Sequence, residues 1–176
     1  MAKALVVIDM QNDFVTGSLG SEAAQACVPH VVDLIKQAIA GDDRIVLTED
    51  THGENYLETL EGKKLPVPHC KIGTSGRDLV VDVSNAINGY DNCAVTPKYG
   101  FGVTTLSCLI PNGTDSITIC GLCTDICVVS NALILRAALP NTPITVVAKA
   151  CAGTTPEKHK AALAVMESCQ IDVVYE

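Results

Sequence analysis

Basic residues are scarce in this sequence: 12 lysines and arginines stand against 20 aspartates and glutamates, a formal net charge of -8. That balance repels a phosphate backbone, and no basic stripe with interleaved aromatics occurs, so nucleic acid is not an expected partner. Long apolar runs are missing too, and nothing approaches the roughly 20 residues that span a bilayer. The opening MAKALVVIDMQNDF is apolar for too few residues before acids arrive to act as a signal peptide. A soluble, cytoplasmic protein without membrane contact is the expectation. No pair of Cys-x-x-Cys knuckles is present, which removes a sulfur-built structural zinc site. Tryptophan is absent altogether.

Cysteine, by contrast, is abundant at nine residues, an odd count in a chain with no secretion signal. A disulfide framework is therefore disfavoured, and cysteines inside apolar runs read as small core hydrophobes. A chain of 176 residues, 48% hydrophobic, is most simply one domain over residues 1–176 with one core. Short β-rich runs alternate with helical patterns along it. Strands are expected at ALVVID (4–9), RIVLTED (44–50), NCAVTPK (92–98), DSITICGL (115–122), PITVVAKA (143–150) and IDVVYE (171–176). Helices are expected at 29–40, with Pro29 in the first turn, at about 125–138, and at 156–169. The stretch 51–92 is irregular and reads as a long functional excursion. This alternation, with continuously apolar strands such as ITVV, predicts an α/β fold, a three-layer α/β/α sandwich with a mainly parallel, Rossmann-like sheet.

Ligands in such folds bind outside the carboxyl ends of the strands. Asp9, Asp50 and Lys98 each close a predicted strand, and GLCTDIC follows another. Asp9 is a candidate general base, although an acid there is often only a turn former. Lys98 is a candidate fixed charge for a thiolate, its plainer alternative being a solvated loop lysine. In GLCTDIC, Gly121 permits a tight turn and Thr124 or Asp125 can cap the next helix. Cys127 then falls in the first helical turn, where the dipole lowers a thiol's pKa, whereas Cys123 precedes it on the turn. That favours Cys127 as the nucleophile only modestly; the pair could equally be two core thiols or two metal ligands. Asp50 and His52, two apart in extended chain, face one side and can grip one ion. His69, after Pro66 and Pro68, is a natural third ligand, with Glu58 and Glu61 as nearby oxygen donors. Such nitrogen and carboxylate donors suit zinc, iron or manganese better than calcium. Surface histidines beside a solvated acidic stretch are the simpler alternative.

The stretches VVIDMQNDF, TEDTH, LPVPHC, TPKYGFG and GLCTDICVVSNA resemble, in order and spacing, the motifs of the isochorismatase-like cysteine hydrolases over residues 4 to about 170. The Asp-x-His and His-Cys pairs resemble the nicotinamidase branch, in which a metal orients a pyridine nitrogen. The resemblance implies catalytic Asp9, Lys98 and Cys127, metal ligation by Asp50, His52 and His69, a cis peptide at Leu122–Cys123, and an oxyanion hole from the N–H groups of Cys123 and Cys127.

The family's usual further metal histidine is replaced here by glutamate. Distance from the Asp-x-His motif favours Glu61, with Glu58 open. The family's tryptophan before His-Cys is missing, leaving Phe14, Tyr99 and Phe101 as candidates to stack on a substrate ring. Cys123 stands where a small residue is common. The resemblance implies a metal-dependent amidohydrolase, zinc its expected ion with iron or manganese possible. It would convert nicotinamide to nicotinate and ammonia as a homo-oligomer. A hydrolase of another small amide or ureido compound is the alternative, as is a non-catalytic binding member; a redox pair of Cys123 and Cys127 is a third reading.

Overall fold

The computed structural model describes residues 2–175. Six strands form one sheet in the order β3-β2-β1-β4-β5-β6, with every pair parallel. In chain order the elements begin with β1 (Lys3–Ile8), a short α1 (Asn12–Val15), α2 (Glu22–Ala40) and β2 (Arg44–Asp50). There follow α3 (Leu60–Lys64), α4 (Val81–Ile87), β3 (Cys93–Lys98) and β4 (Ser116–Leu122). Next come α5 (Val129–Ala138), β5 (Ile144–Ala152), α6 (Pro156–Ser168) and β6 (Asp172–Val174). Every expected strand is present within a residue or two at each end, β6 being three residues long. Glu176, the end of the expected last strand, lies outside the described residues, as does Met1.

Each strand in the middle of the sheet is buried on both faces where it nears its carboxyl end: Val6, Val7, Val46, Leu47, Ile119 and Cys120 are all 0% exposed. This is why those runs are apolar without alternation. The chain builds outward from β1 through β2 to β3, then returns to lay β4 against the other side of β1. The reversal creates the crevice at the carboxyl ends of β1 and β4 where such sheets bind ligands. Gly121 makes the close approach possible. Its φ is 117°, and a Cβ there would stand 2.1 Å from the Ile8 carbonyl oxygen.

Two expectations need correction. Pro29 is not in a first turn but inside α2, because the helix begins earlier, where the Ser21 hydroxyl caps it by accepting from Ala24 N at 3.1 Å. The stretch 51–92 also carries more order than its Gly, Pro and His content suggested, holding a 3-10 turn at Tyr56–Glu58 besides α3 and α4. No helix among the described residues is long and apolar enough to cross a membrane.

Candidate active site

Strand register brings the first two side chains together. Asp50 at the end of β2 pairs directly with Lys98 at the end of β3, and the Lys98 ammonium donates to Asp50 Oδ1 at 2.7 Å. On its other side the same Nζ lies 2.9 Å from Asp9 Oδ2. Asp9 stands just past β1 with φ 48°, a left-handed conformation that aspartate tolerates better than most residues. Its Oδ1 accepts from the Thr48 hydroxyl at 2.6 Å, while Oδ2 takes no aligned hydrogen bond and so keeps a lone pair free. Asp9 and Lys98 are 0% and 2% exposed.

Burial in company sets the charges. Burial pushes the Asp9 carboxyl above its ordinary value; Lys98 pulls the other way, and Asp50 adds to the rise. Burial also opposes the Lys98 charge, but Asp9, Cys127 and Asp50 outweigh it and hold the ammonium protonated. For Asp50, burial is overcome by hydrogen bonds from His52, His69 and Lys98, which keep it ionised.

Cys127 is buried beside this pair and within reach of the charges of both Asp9 and Lys98. The expectation that the helix start depresses its pKa is not met. Burial first, then Asp9, pushes the thiol well above its ordinary value, with Lys98 opposing. The resting sulfur is thus a thiol, with the buried Asp9 carboxylate near enough to act on its charge. Burial, reinforced by Asp125 and Asp9, pushes the Cys123 thiol up to about 12.

The segment carrying Cys127 differs from a capped α-helix. Residues Thr124–Val128 form a π-turn in which Val128 N donates to Cys123 O at 3.1 Å, and α5 continues from it. Neither Thr124 nor Asp125 caps the helix; both side chains reach away to α6 and the loop before it. The Leu122–Cys123 peptide is cis, as the resemblance implies.

The second constellation assembles beside the first. His52 and His69 are joined through backbone pairing of the excursion: His52 N donates to Cys70 O at 3.0 Å, and Ile72 N to His52 O at 2.9 Å. His52 Nε2 and His69 Nε2 lie 2.8 and 3.3 Å from Asp50 Oδ2. Glu61 Oε1 stands 3.7 and 3.6 Å from the same two nitrogens. Ligand atoms of Asp50, His52, Glu61 and His69 all fall within 4.8 Å of one another; exposed Glu58 is not in the group. The Val67 carbonyl can only accept, so His69 Nδ1, 2.8 Å away, must donate to it. With Nδ1 so engaged, Nε2 is the nitrogen His69 would offer to an ion held by this cluster, the arrangement found behind metal-bound histidines. Two imidazole nitrogens and two carboxylates fit a divalent transition metal.

A cavity of about 890 Å³ opens over both constellations. Cys123, Cys127 and all four metal-ligand candidates line it, whereas the buried Asp9 and Lys98 do not. Phe14, Tyr99 and Phe101 line it as well. Only Phe14 is buried, its ring 5.5 Å from that of His69; Tyr99 and Phe101 are 76% and 49% exposed at the mouth.

Several contributors escaped sequence reasoning. Tyr56 packs edge-on against both imidazoles, with ring centroids 4.7 and 5.1 Å away, and its hydroxyl donates to Leu65 O. Gln11 clamps the Asp50 backbone, accepting from its N–H at 2.7 Å and donating to its carbonyl at 2.9 Å. Asn131 donates to Cys127 O and Phe101 O and accepts from Val103 N, tying the Cys127 turn to the loop after β3. Gln11 and Asn131 lie inside the quoted motifs, and polar residues in apolar surroundings were the available signal.

Comparisons with known proteins agree with this geometry. The isochorismatase domain model matches residues 3–175. The nicotinamidase/pyrazinamidase of Mycobacterium tuberculosis is 30% identical over 186 residues, covering 98% of each chain. The crystal structure of nicotinamidase PncA from Bacillus subtilis superposes with a TM-score of 0.86 at 27% identity, covering 99% of this chain and 100% of that one. Pyrazinamidase of Pyrococcus horikoshii, solved in complex with zinc, gives 0.83 at 26% identity with both chains fully covered. This chain belongs to the isochorismatase family.

Proposed function

We propose that the chain is a cytoplasmic, metal-dependent cysteine amidohydrolase that converts nicotinamide to nicotinate and ammonia. One observation carries the reading: Lys98 Nζ sits between Asp9 at 2.9 Å and Asp50 at 2.7 Å. A single buried cation thus joins the acid that faces Cys127 to the acid that faces His52 and His69. A reacting carbonyl over the thiol and a ligand atom on the imidazole cluster then belong to one small molecule.

Asp50, His52, Glu61 and His69 would hold the ion, zinc by preference with iron or manganese as alternatives, and it would supply a Lewis-acid contact for a pyridine nitrogen. Asp9 takes the Cys127 proton as sulfur attacks the carboxamide carbon, its raised pKa bringing its basicity closer to that of the thiol. Lys98 offsets the negative charge shared by Asp9 and the thiolate. The N–H groups of Cys123 and Cys127 receive the tetrahedral oxyanion. Asp9 returns its proton to the departing ammonia, the C–N bond breaks, and a thioester remains on Cys127. Asp9 then takes a proton from water, whose oxygen attacks the thioester, and nicotinate leaves as the thiol re-forms.

Another small amide or ureido compound is the second reading, favoured by a cavity of about 890 Å³, which has room for molecules other than nicotinamide. Ammonia release across a panel of amides, with metal content determined on the same sample, separates the two. Nicotinamide as the best substrate of metal-loaded protein supports the first reading. Turnover of ureido compounds alone, or full activity without metal, overturns it.

A further inference from the structure

We propose that His159 is a positioning residue for the Cys127 turn, acting through the buried hydroxyl of Thr124. The proposal rests on the reading of Cys127 as nucleophile. Thr124 and Asp125 lie between Cys123 and Cys127, at the start of the π-turn. Residues there ordinarily restrain a helix start by capping it, and here neither does. Their side chains instead reach α6 and the loop that leads into it from β5.

Thr124 is fully buried, and its Oγ1 lies 2.7 Å from His159 Nδ1, its one hydrogen-bond partner among the described residues. A buried hydroxyl with that single partner must direct its proton there, so Nδ1 accepts. The neutral ring this requires is consistent with its surroundings. Burial holds the imidazole below its ordinary value, with Lys160 acting the same way and Asp125 opposing. Asp125 accepts from Thr154 N at 2.8 Å and from the Thr154 hydroxyl at 2.6 Å.

The partner side of this junction is held by its own helix. Thr155 caps α6, its hydroxyl accepting from Lys158 N at 3.2 Å, and His159 N donates to Thr155 O at 2.9 Å. At Gly153 the elements meet without room for a methyl group. A Cβ there would fall 2.8 Å from the His159 Cβ and 2.9 Å from Asp125 Oδ1. The nucleophile turn is therefore indexed against α6 by side chains rather than by its own cap. A change in Thr124 orientation moves the N–H groups of Cys123 and Cys127 relative to each other, and oxyanion donors tolerate little displacement.

The test compares His159→Ala, Thr124→Val and their double variant with His159→Asn, whose side-chain amide can reach the Thr124 hydroxyl. Thr124→Ser keeps that hydroxyl and serves as a second comparison if the alanine variant fails to fold. Turnover is measured on whichever amide the wild type hydrolyses fastest, so a failure of nicotinamide as substrate leaves the test intact. Each single variant lowers kcat at least about tenfold, with KM and bound metal unchanged. The double variant falls no further, and the asparagine and serine variants recover most of the rate. Multiplying losses in the double variant, an unchanged kcat in Thr124→Val, or an asparagine variant no better than alanine overturns the proposal.

Discussion

Replacing Lys98 with methionine keeps the length of the side chain and removes the cation on which both halves of the site depend. Asp9, 0% exposed, and Asp50, 3% exposed, would then face each other without the ammonium that lies 2.9 and 2.7 Å from them. Breaking a buried ion pair by removing one partner costs about 3–5 kcal/mol. At about 2–4 °C per kcal/mol for a chain of this size, the melting temperature should fall by roughly 6–20 °C. The loss should also depend on pH. The folded-state pKa of Asp9 is already raised, so the native state binds more protons than the unfolded one between the ordinary carboxylate value and that raised value. Stability therefore falls as pH rises through this window, and the slope steepens once Lys98 is gone. Thermal denaturation of metal-free protein at several pH values is the assay. A second change, Asp9→Asn, should return part of the lost stability by removing the uncompensated charge. A Lys98→Met protein that melts with the wild type at neutral pH would refute the view that this cation holds the site together.

Cys127→Ala should lower amide hydrolysis at least about 10⁴-fold, whereas Cys123→Ala should keep most of the rate, since the proposed mechanism uses only its backbone N–H; ammonia release distinguishes them. Glu61→Gln should weaken metal binding at least about tenfold, while Glu58→Gln leaves it unchanged, as measured by metal titration. Gly121→Ala should destabilise by about 3 kcal/mol, because its Cβ meets the Ile8 carbonyl at 2.1 Å; denaturant unfolding reads this directly.

Strand ends were the most legible part of the site. Asp50 and Lys98 closed apolar runs in the sequence, and parallel register alone makes them neighbours. Asp9 follows from the same logic one strand over. The metal-ligand candidates were half legible: the two-residue spacing of Asp50 and His52 speaks for itself, but His69 arrives through pairing of His52 with Cys70 and Ile72, a contact without local sequence signature. Tyr56 was overlooked because its ring packs against the back of the histidines from an irregular turn, where periodicity says nothing. The capping preference of Thr124 and Asp125 misled for a related reason. Cap propensity describes an isolated helix start, and here partners more than 25 residues away in sequence, Thr154 and His159, take those side chains instead. Likewise the helix dipole favoured a low thiol pKa, but the burial of Cys127 and the charge of Asp9 dominate.

Trapping the covalent intermediate tests the central claim most directly. Metal-loaded protein mixed with nicotinamide, acid-quenched during turnover and digested, should carry a pyridine-3-carbonyl group on the peptide sulfur of Cys127, absent from Cys127→Ala. Turnover with no acyl group on any cysteine, or with the group on Cys123, would contradict it.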